Sequence, residues 1–217
     1  MTKFAHFFLR MKNYSEETYI EWMDTLANND FVVIDDFLEA DLVDNISDFF
    51  EERLDENDLE KAGIGALGNH TIDKKIRGDY IYWLSENRDL VLKELFFQMN
   101  EMVSKLKRYC FLSISDFECH LAYYPEGSFY KKHVDQFKER NNRIISFVLY
   151  LNKDWKPEDE GQLVIYKKEE SHKIDPIKNR IVIFKSAGLE HEVLLTNEPR
   201  YSVTGWMLNN PVGLGFL

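Results

Sequence analysis

Cysteine is nearly absent from this 217-residue chain: there are two, Cys110 and Cys119. They stand nine positions apart, so they form no Cys-x-x-Cys pair, and two thiols make no disulfide framework. Reduced thiols in a cytoplasmic protein are the expectation. Proline and glycine are scarce as well, at 5 and 10 residues. No stretch is rich enough in them, or in serine, to act as a linker between two domains. Long apolar runs are missing: nothing approaches the roughly 18–20 residues that span a bilayer, so no membrane association is expected. The apolar patch from Phe4 to Leu9 is too short for a signal-peptide core, and no small-residue cleavage site follows it. Positive charge is in deficit: 27 Lys and Arg against 38 Asp and Glu leave a net charge of −11. Such a field repels phosphate backbones and argues against a protein that coats nucleic acid. It suits a basic protein partner.

What is present is enough apolar material for a core, 44% of residues, with 30% charged. The first half reads as helices with a few strands. Ser15 before Glu16 and Glu17 is an N-cap signature, and Tyr19, Trp22, Met23 and Leu26 follow at helical spacing. Phe31 to Ile34 reads as a strand. Leu42, Val43, Ile46, Phe49 and Phe50 make the apolar stripe of a helix whose outer face is acidic. A strand is expected over Ile76 to Leu84. A long helix carrying Val91, Leu95, Met99, Met102, Val103 and Leu106 should end near Lys107 and Arg108. From Ile114 the texture changes to short β-rich runs separated by turns, at 117–124, 129–135, 143–151, 162–166, 180–184, 191–195 and 200–208. The expectation is a single domain over 1–217. Residues 1–113 supply helical support and the first strands, and 114–217 form a mainly β sandwich, jelly roll or barrel, an α+β arrangement overall.

Six histidines are distributed along the chain, and one pair of neighbours stands out. His133 and Asp135 form His-x-Asp, and on an extended segment residues two apart face the same way. Imidazole and carboxylate can then converge on one ion. His191 lies 56 residues beyond Asp135. Two His and one carboxylate on one side of a metal is the facial triad of non-haem iron(II) oxygenases. Nine residues further on, Arg200 opens a strand whose alternation puts Thr204 and Trp206 on its face. A guanidinium there can hold a carboxylate bidentately in a dry pocket. Pairing with one of the chain's many acids is the competing assignment for Arg200.

His133, Asp135, His191 and Arg200, in that order and on strands, resemble the Fe(II)/2-oxoglutarate-dependent dioxygenases. The resemblance is closest to the prolyl 4-hydroxylase family, in its hypoxia-sensing type and bacterial relatives. It is carried by stretches 31–38, 76–83, 124–125, 130–135, 150–155, 161–163, 191–193 and 200–201, nearly the whole chain from residue 31. It implies a double-stranded β-helix, cupin-like, supported by helices. His133, Asp135 and His191 would be the iron ligands, and Arg200 would hold the distal carboxylate of 2-oxoglutarate with the Tyr150 phenol. Tyr124, Leu163, Thr204 and Trp206 would line or back that pocket. Asp79 and Arg143 match positions where the family pairs an Asp and an Arg near the substrate groove, and Tyr130 belongs to the same group. His120, by alternation with Ala122 and Tyr124, faces the pocket as a third histidine, a departure from the family pattern. The doubled glycine before the pocket leucine is another departure, reading Glu160-Gly161-Gln162 here. The implied cofactors are Fe(II), 2-oxoglutarate as cosubstrate, O2, and ascorbate as reductant.

The implied reaction couples decarboxylation of 2-oxoglutarate to succinate with hydroxylation of a prolyl residue in a protein substrate. Analogy with bacterial relatives points to the translation machinery. The rival assignments are the same chemistry on a free amino acid or small molecule, and a non-catalytic β-helix binding module. Gly63, Gly65 and Gly68 spell Gly-x-Gly-x-x-Gly, but no strand precedes them and no helix follows, so a dinucleotide site is not expected. The resemblance places a substrate-ordering loop over 61–75 instead.

Overall fold

A computed structural model describes residues 12–63, 76–136, 142–168 and 170–209. Ser15 caps the first helix, α1 (Glu16–Asn29), by accepting from the Thr18 N–H at 3.2 Å. The helix ends at Asp30, which takes the left-handed conformation at φ 68. Strand β1 (Phe31–Ile34) follows, then α2 (Ala40–Asp55), which buries Leu42, Val43, Ile46, Phe49 and Phe50 as its spacing predicts. Strands β2 (Glu60–Lys61) and β3 (Tyr80–Trp83) precede α3 (Lys93–Tyr109). Eight more strands complete the described chain: β4 (Asp116–Tyr124), β5 (Tyr130–His133), β6 (Arg143–Tyr150), β7 (Leu163–Lys167), β8 (Glu170–Ile174), β9 (Ile181–Lys185), β10 (Glu190–Val193) and β11 (Arg200–Leu208).

The strands form two antiparallel sheets, ordered β1-β9-β6-β11-β4-β3-β2 and β5-β10-β7-β8. Helices cover one face of the larger sheet and the smaller sheet covers the other. Strands β6 and β9 are therefore largely apolar on both faces and read as nearly continuous runs. In β6, Ile145, Phe147 and Leu149 join the helical core with Met23, Phe50 and Met99. Val148 and Tyr150 point the other way, to Leu163, Ile165 and Phe184. The same alternation turns Cys119 and Leu121 of β4 toward the helices and leaves His120, Ala122 and Tyr124 on the inner face.

Three expectations need correcting. Val91 lies on a 3₁₀ turn (Leu90–Leu92) before α3 and is 60% exposed, so the buried stripe runs through Leu92, Leu95, Phe96, Met99, Met102 and Leu106. The strand expected over 76–84 forms only at Tyr80–Trp83, because 76–78 instead bond to β5: Lys131 donates to the Ile76 carbonyl and Gly78 to that of Phe129. Strand β8 was not expected. Its composition, Glu-Ser-His-Lys-Ile, is polar because it is the edge of the smaller sheet, facing solvent. The expected 61–75 loop lies largely outside the described residues, as does the apolar stretch 212–217. Among the described residues no helix is long and apolar enough to cross a membrane.

Gly205 sits mid-strand in β11 between β4 and β6, where a Cβ would meet the Glu118 carbonyl oxygen, Phe147 Cζ at 2.5 Å and Cys119 Cβ at 2.7 Å. Two of these obstacles belong to the neighbouring strand and cannot swing aside. Gly205→Ala is expected to cost about 1–3 kcal/mol. Thermal unfolding should register this as a Tm lowered by several degrees. An unchanged Tm would mean that the sheet spreads at no cost.

Candidate active site

The smaller sheet builds the first half of the site. Strands β10 and β5 pair so that His191 lies directly opposite His133, and Asp135 follows two residues after the end of β5. His133 Nε2 lies 3.5 Å from Asp135 Oδ1, and His191 Nε2 lies 3.5 Å from Oδ2. All three ligand atoms fall within 4.8 Å of one another, the one such group among the described residues. Each histidine is steered by its own strand: Nδ1 of His133 meets the Lys131 carbonyl at 2.7 Å, and Nδ1 of His191 meets that of Leu189 at 3.0 Å. The backbone carbonyls thus take Nδ1–H and leave the Nε2 lone pairs turned inward, the tautomer a metal requires. From the opposite sheet, Ser146 Oγ donates to Asp135 Oδ2 at 2.7 Å and lies 2.8 Å from Ser186 Oγ. Burial works against the Asp135 charge, but His191, His133 and the Ser146 hydrogen bond outweigh it and hold the carboxyl well below the usual range. Burial pushes the His191 pKa below its ordinary value, against the pull of Asp135. Two imidazoles and one carboxylate suit a divalent cation with positions left for other ligands.

The larger sheet builds the second half. Arg200, Thr204 and Trp206 share the inner face of β11. Arg200 is 3% exposed, and its guanidinium lies between the rings of Tyr124 and Tyr150, 5.0 Å from each. Its Nε and Nη2, and the Tyr150 hydroxyl, have no hydrogen-bond partner among the described residues. The acid pairing considered for Arg200 is therefore not formed there. Gly161 explains how the cradle fits: at φ +72, a Cβ would press on Thr196 and reach 3.2 Å from Arg200 Cδ. A buried cation without a counter-charge is costly, so this end of the site is built for an anion. One cavity of about 580 Å³ joins the two halves, and Tyr124, Leu163, His191, Arg200 and Thr204 are among its walls. Tyr150 is fully buried behind Arg200.

The rim departs from expectation in its partners. Asp79 is 1% exposed and takes a bidentate pair from Arg77, through Nε at 2.7 Å and Nη2. Arg143 donates to Glu118 at 2.8 Å and lies 3.4 Å from the Trp206 ring centre. Asp79 and Arg143 thus both line the cavity, but these pairs are formed with other residues. Tyr130 is sandwiched, with His133 stacked on it at 3.7 Å and Arg77 over its other side at 4.5 Å. His120 lines the cavity and is not part of the metal group. Arg77, Ser146 and Trp83 escaped the sequence reading. Ser146 left a signal, being a polar side chain within the apolar run Ile144 to Leu149 of β6. Arg77 had none beyond its place in a matching stretch.

Residues 119–208 match the family described as the 2OG-Fe(II) oxygenase superfamily. The structure of a prolyl-4-hydroxylase from Pseudomonas putida is similar at TM-score 0.80 and 32% identity, covering 89% of this chain and 100% of that one. A prolyl hydroxylase from Trichoplax adhaerens, solved with a peptide fragment of the hypoxia inducible factor oxygen degradation domain, is similar at TM-score 0.81 and 26% identity, covering 91% of this chain and 94% of its own. Egl nine homolog 1 of Mus musculus and of Homo sapiens is 30% identical over 187 residues, which is 80% of this chain and 45% and 42% of those proteins. The chain thus spans less than half the length of these two curated relatives. It belongs to the prolyl 4-hydroxylase family of the 2OG-Fe(II) oxygenases, and its two facing sheets are that family's double-stranded β-helix.

Ser146→Ala removes the one described donor to Asp135 while leaving the ligands in place. Divalent-metal affinity, read by calorimetry with Mn(II), is expected to fall about tenfold or more. Unchanged affinity would mean that the two histidines alone orient the carboxylate.

Proposed function

We propose that this chain is an Fe(II)- and 2-oxoglutarate-dependent dioxygenase that hydroxylates a prolyl residue in a protein. One observation carries the reading. A buried guanidinium with no counter-charge among the described residues and a His-Asp-His cluster share a single cavity. His133, Asp135 and His191 would hold the metal through Nε2, Oδ and Nε2. Arg200 would take the distal carboxylate, with the Tyr150 hydroxyl as second donor. Tyr124, Leu163 and Thr204 would exclude water along the chain of the cosubstrate. When bound, iron and 2-oxoglutarate supply oxidative decarboxylation to succinate coupled to hydroxylation of a C–H bond by O2. The protein's own part is orientation and dryness. Ascorbate is proposed as the reductant that keeps the iron divalent.

Support for a protein substrate comes from the rim. Tyr130, Asp79, Arg143 and Gly63 all line the cavity there. The net charge of −11 favours a basic segment with an accessible proline. The translation machinery is the source proposed by analogy, with one domain over 1–217 acting in the cytoplasm, where Cys110 and Cys119 stay free thiols. The rival small-molecule activity would need no such rim. A pure binding module would leave Arg200 buried without benefit.

Turnover tests this. His133→Ala and Asp135→Ala are expected to abolish conversion of 2-oxoglutarate to succinate in folded protein. Arg200→Ala should raise the 2-oxoglutarate requirement about a hundredfold or more, since a buried charge pair loses its partner. Succinate formation that survives the ligand variants, or an unaltered requirement in Arg200→Ala, overturns the assignment. Stimulation of turnover by free proline but not by proline-containing peptides would move the substrate to the small-molecule class.

A further inference from the structure

His120 has no role in the assignments above, yet it occupies an unusual place. It lies mid-strand in β4, is 2% exposed and lines the cavity. Its Nδ1 is sealed off and finds no hydrogen-bond partner among the described residues. Burial, and then the nearby Arg77, push its pKa down to about 3, so the ring is neutral and carries one N–H. Trp206 presents the same anomaly. Its indole Nε1, a donor and nothing else, is also buried without a partner among the described residues. The two rings lie 5.4 Å apart, and Trp83 completes a triangle with them, 4.9 Å from His120 and 6.2 Å from Trp206. A native core leaves few such groups unmade, because each costs about 1–3 kcal/mol. The Trp206 donor on the cavity wall marks a place where a bound acceptor belongs, and His120, whose sealed Nδ1 leaves Nε2 as the nitrogen able to reach the cavity, stands beside it.

The strand register says which acceptor. Thr204 pairs with His120, and Trp206 pairs with Ser146, the residue that holds Asp135. Arg200 lies at the far end of β11, opposite Tyr124. His120 and Trp206 therefore flank the metal end of the cavity, and Arg200 the distal end. A dicarboxylate held at Arg200 within this cavity would direct its other carboxylate toward that metal end. Arg143, stacked on Trp206 at 3.4 Å, adds positive potential to that wall.

We propose that His120, through Nε2–H, and Trp206, through Nε1–H, donate to the C1 carboxylate of 2-oxoglutarate, fixing how the cosubstrate lies at the metal. His120 is a binding residue in this assignment, not a fourth metal ligand. The inference rests on the proposed function. In a neutral imidazole whose Nδ1 is sealed, placing the proton on Nε2 is what makes the ring a donor toward the cavity.

The experiment uses calorimetry on the Mn(II)-loaded 217-residue chain, without O2 and hence without turnover. His120→Leu and Trp206→Phe remove one donor each, and His120→Gln restores an N–H near the Nε2 position. Mn(II) affinity should stay at the wild-type value in all three. The dissociation constant for 2-oxoglutarate should rise about tenfold or more in His120→Leu and in Trp206→Phe. In His120→Gln it should return most of the way to wild type, a rescue that a merely structural role would not give. Unchanged 2-oxoglutarate affinity in both deletions overturns the proposal. So does loss of Mn(II) affinity in His120→Leu, which would make His120 a ligand. A defect confined to binding of a proline peptide also overturns it, assigning the donors to a peptide carbonyl. If the wild-type protein binds Mn(II) but no 2-oxoglutarate, the functional reading falls together with this inference. Failure of the variants alone removes only the latter.

Discussion

Strand β11 is hydrogen-bonded along its length to β4 on one side and β6 on the other, and everything at the site depends on that register. A slip of one residue would turn Arg200, Thr204 and Trp206 toward the helices and bring Tyr201, Val203 and Met207 into the cavity. The register is held by burial on both faces. Val203 and Met207 are fully covered by the helical core, and Tyr201 meets Phe50 of α2 edge-on at 5.4 Å. The helices thus act on the chemistry indirectly, by making the wrong register costly. The smaller sheet uses the same device at shorter range, where the β5–β10 pairing sets His133 against His191.

The cavity concentrates polar groups that the fold leaves unsatisfied. Arg200 is buried with no acid beside it among the described residues, and Tyr150, Trp206 and His120 each hold an unmade hydrogen bond. Elsewhere the same residue types are paired: Arg77 with Asp79, Arg180 with Asp35, Arg53 with Asp58. The contrast is informative because a chain with 38 acids has ample means to neutralise an arginine. Stability is given up where a ligand is to supply the missing partner.

Much of this was legible in the sequence. Period-two alternation placed His133 with Asp135, and Arg200 with Thr204 and Trp206, on common faces. The helical stripes of α1, α2 and α3 were equally plain, and so was the change of texture at Ile114. Legibility failed where pairing depends on distant parts of the chain. Strand β8 is polar because it is an edge, which no local pattern reveals. Residues 76–78 carry strand-like composition but bond to β5. The partner of Asp79 is two residues away, at Arg77, although the family pattern suggested Arg143. Ser146 supports Asp135 from another sheet, an arrangement that only the fold brings about.

The central claim is that His133, Asp135 and His191 hold a divalent iron to which 2-oxoglutarate, anchored at Arg200, binds directly. Anaerobic titration of the purified protein with Fe(II) and 2-oxoglutarate, followed by visible absorption, tests it most directly. A weak charge-transfer band that requires both components, saturates at one equivalent of each and is missing in His191→Ala is the predicted result. Well-folded protein that shows no band with both components present would contradict the account.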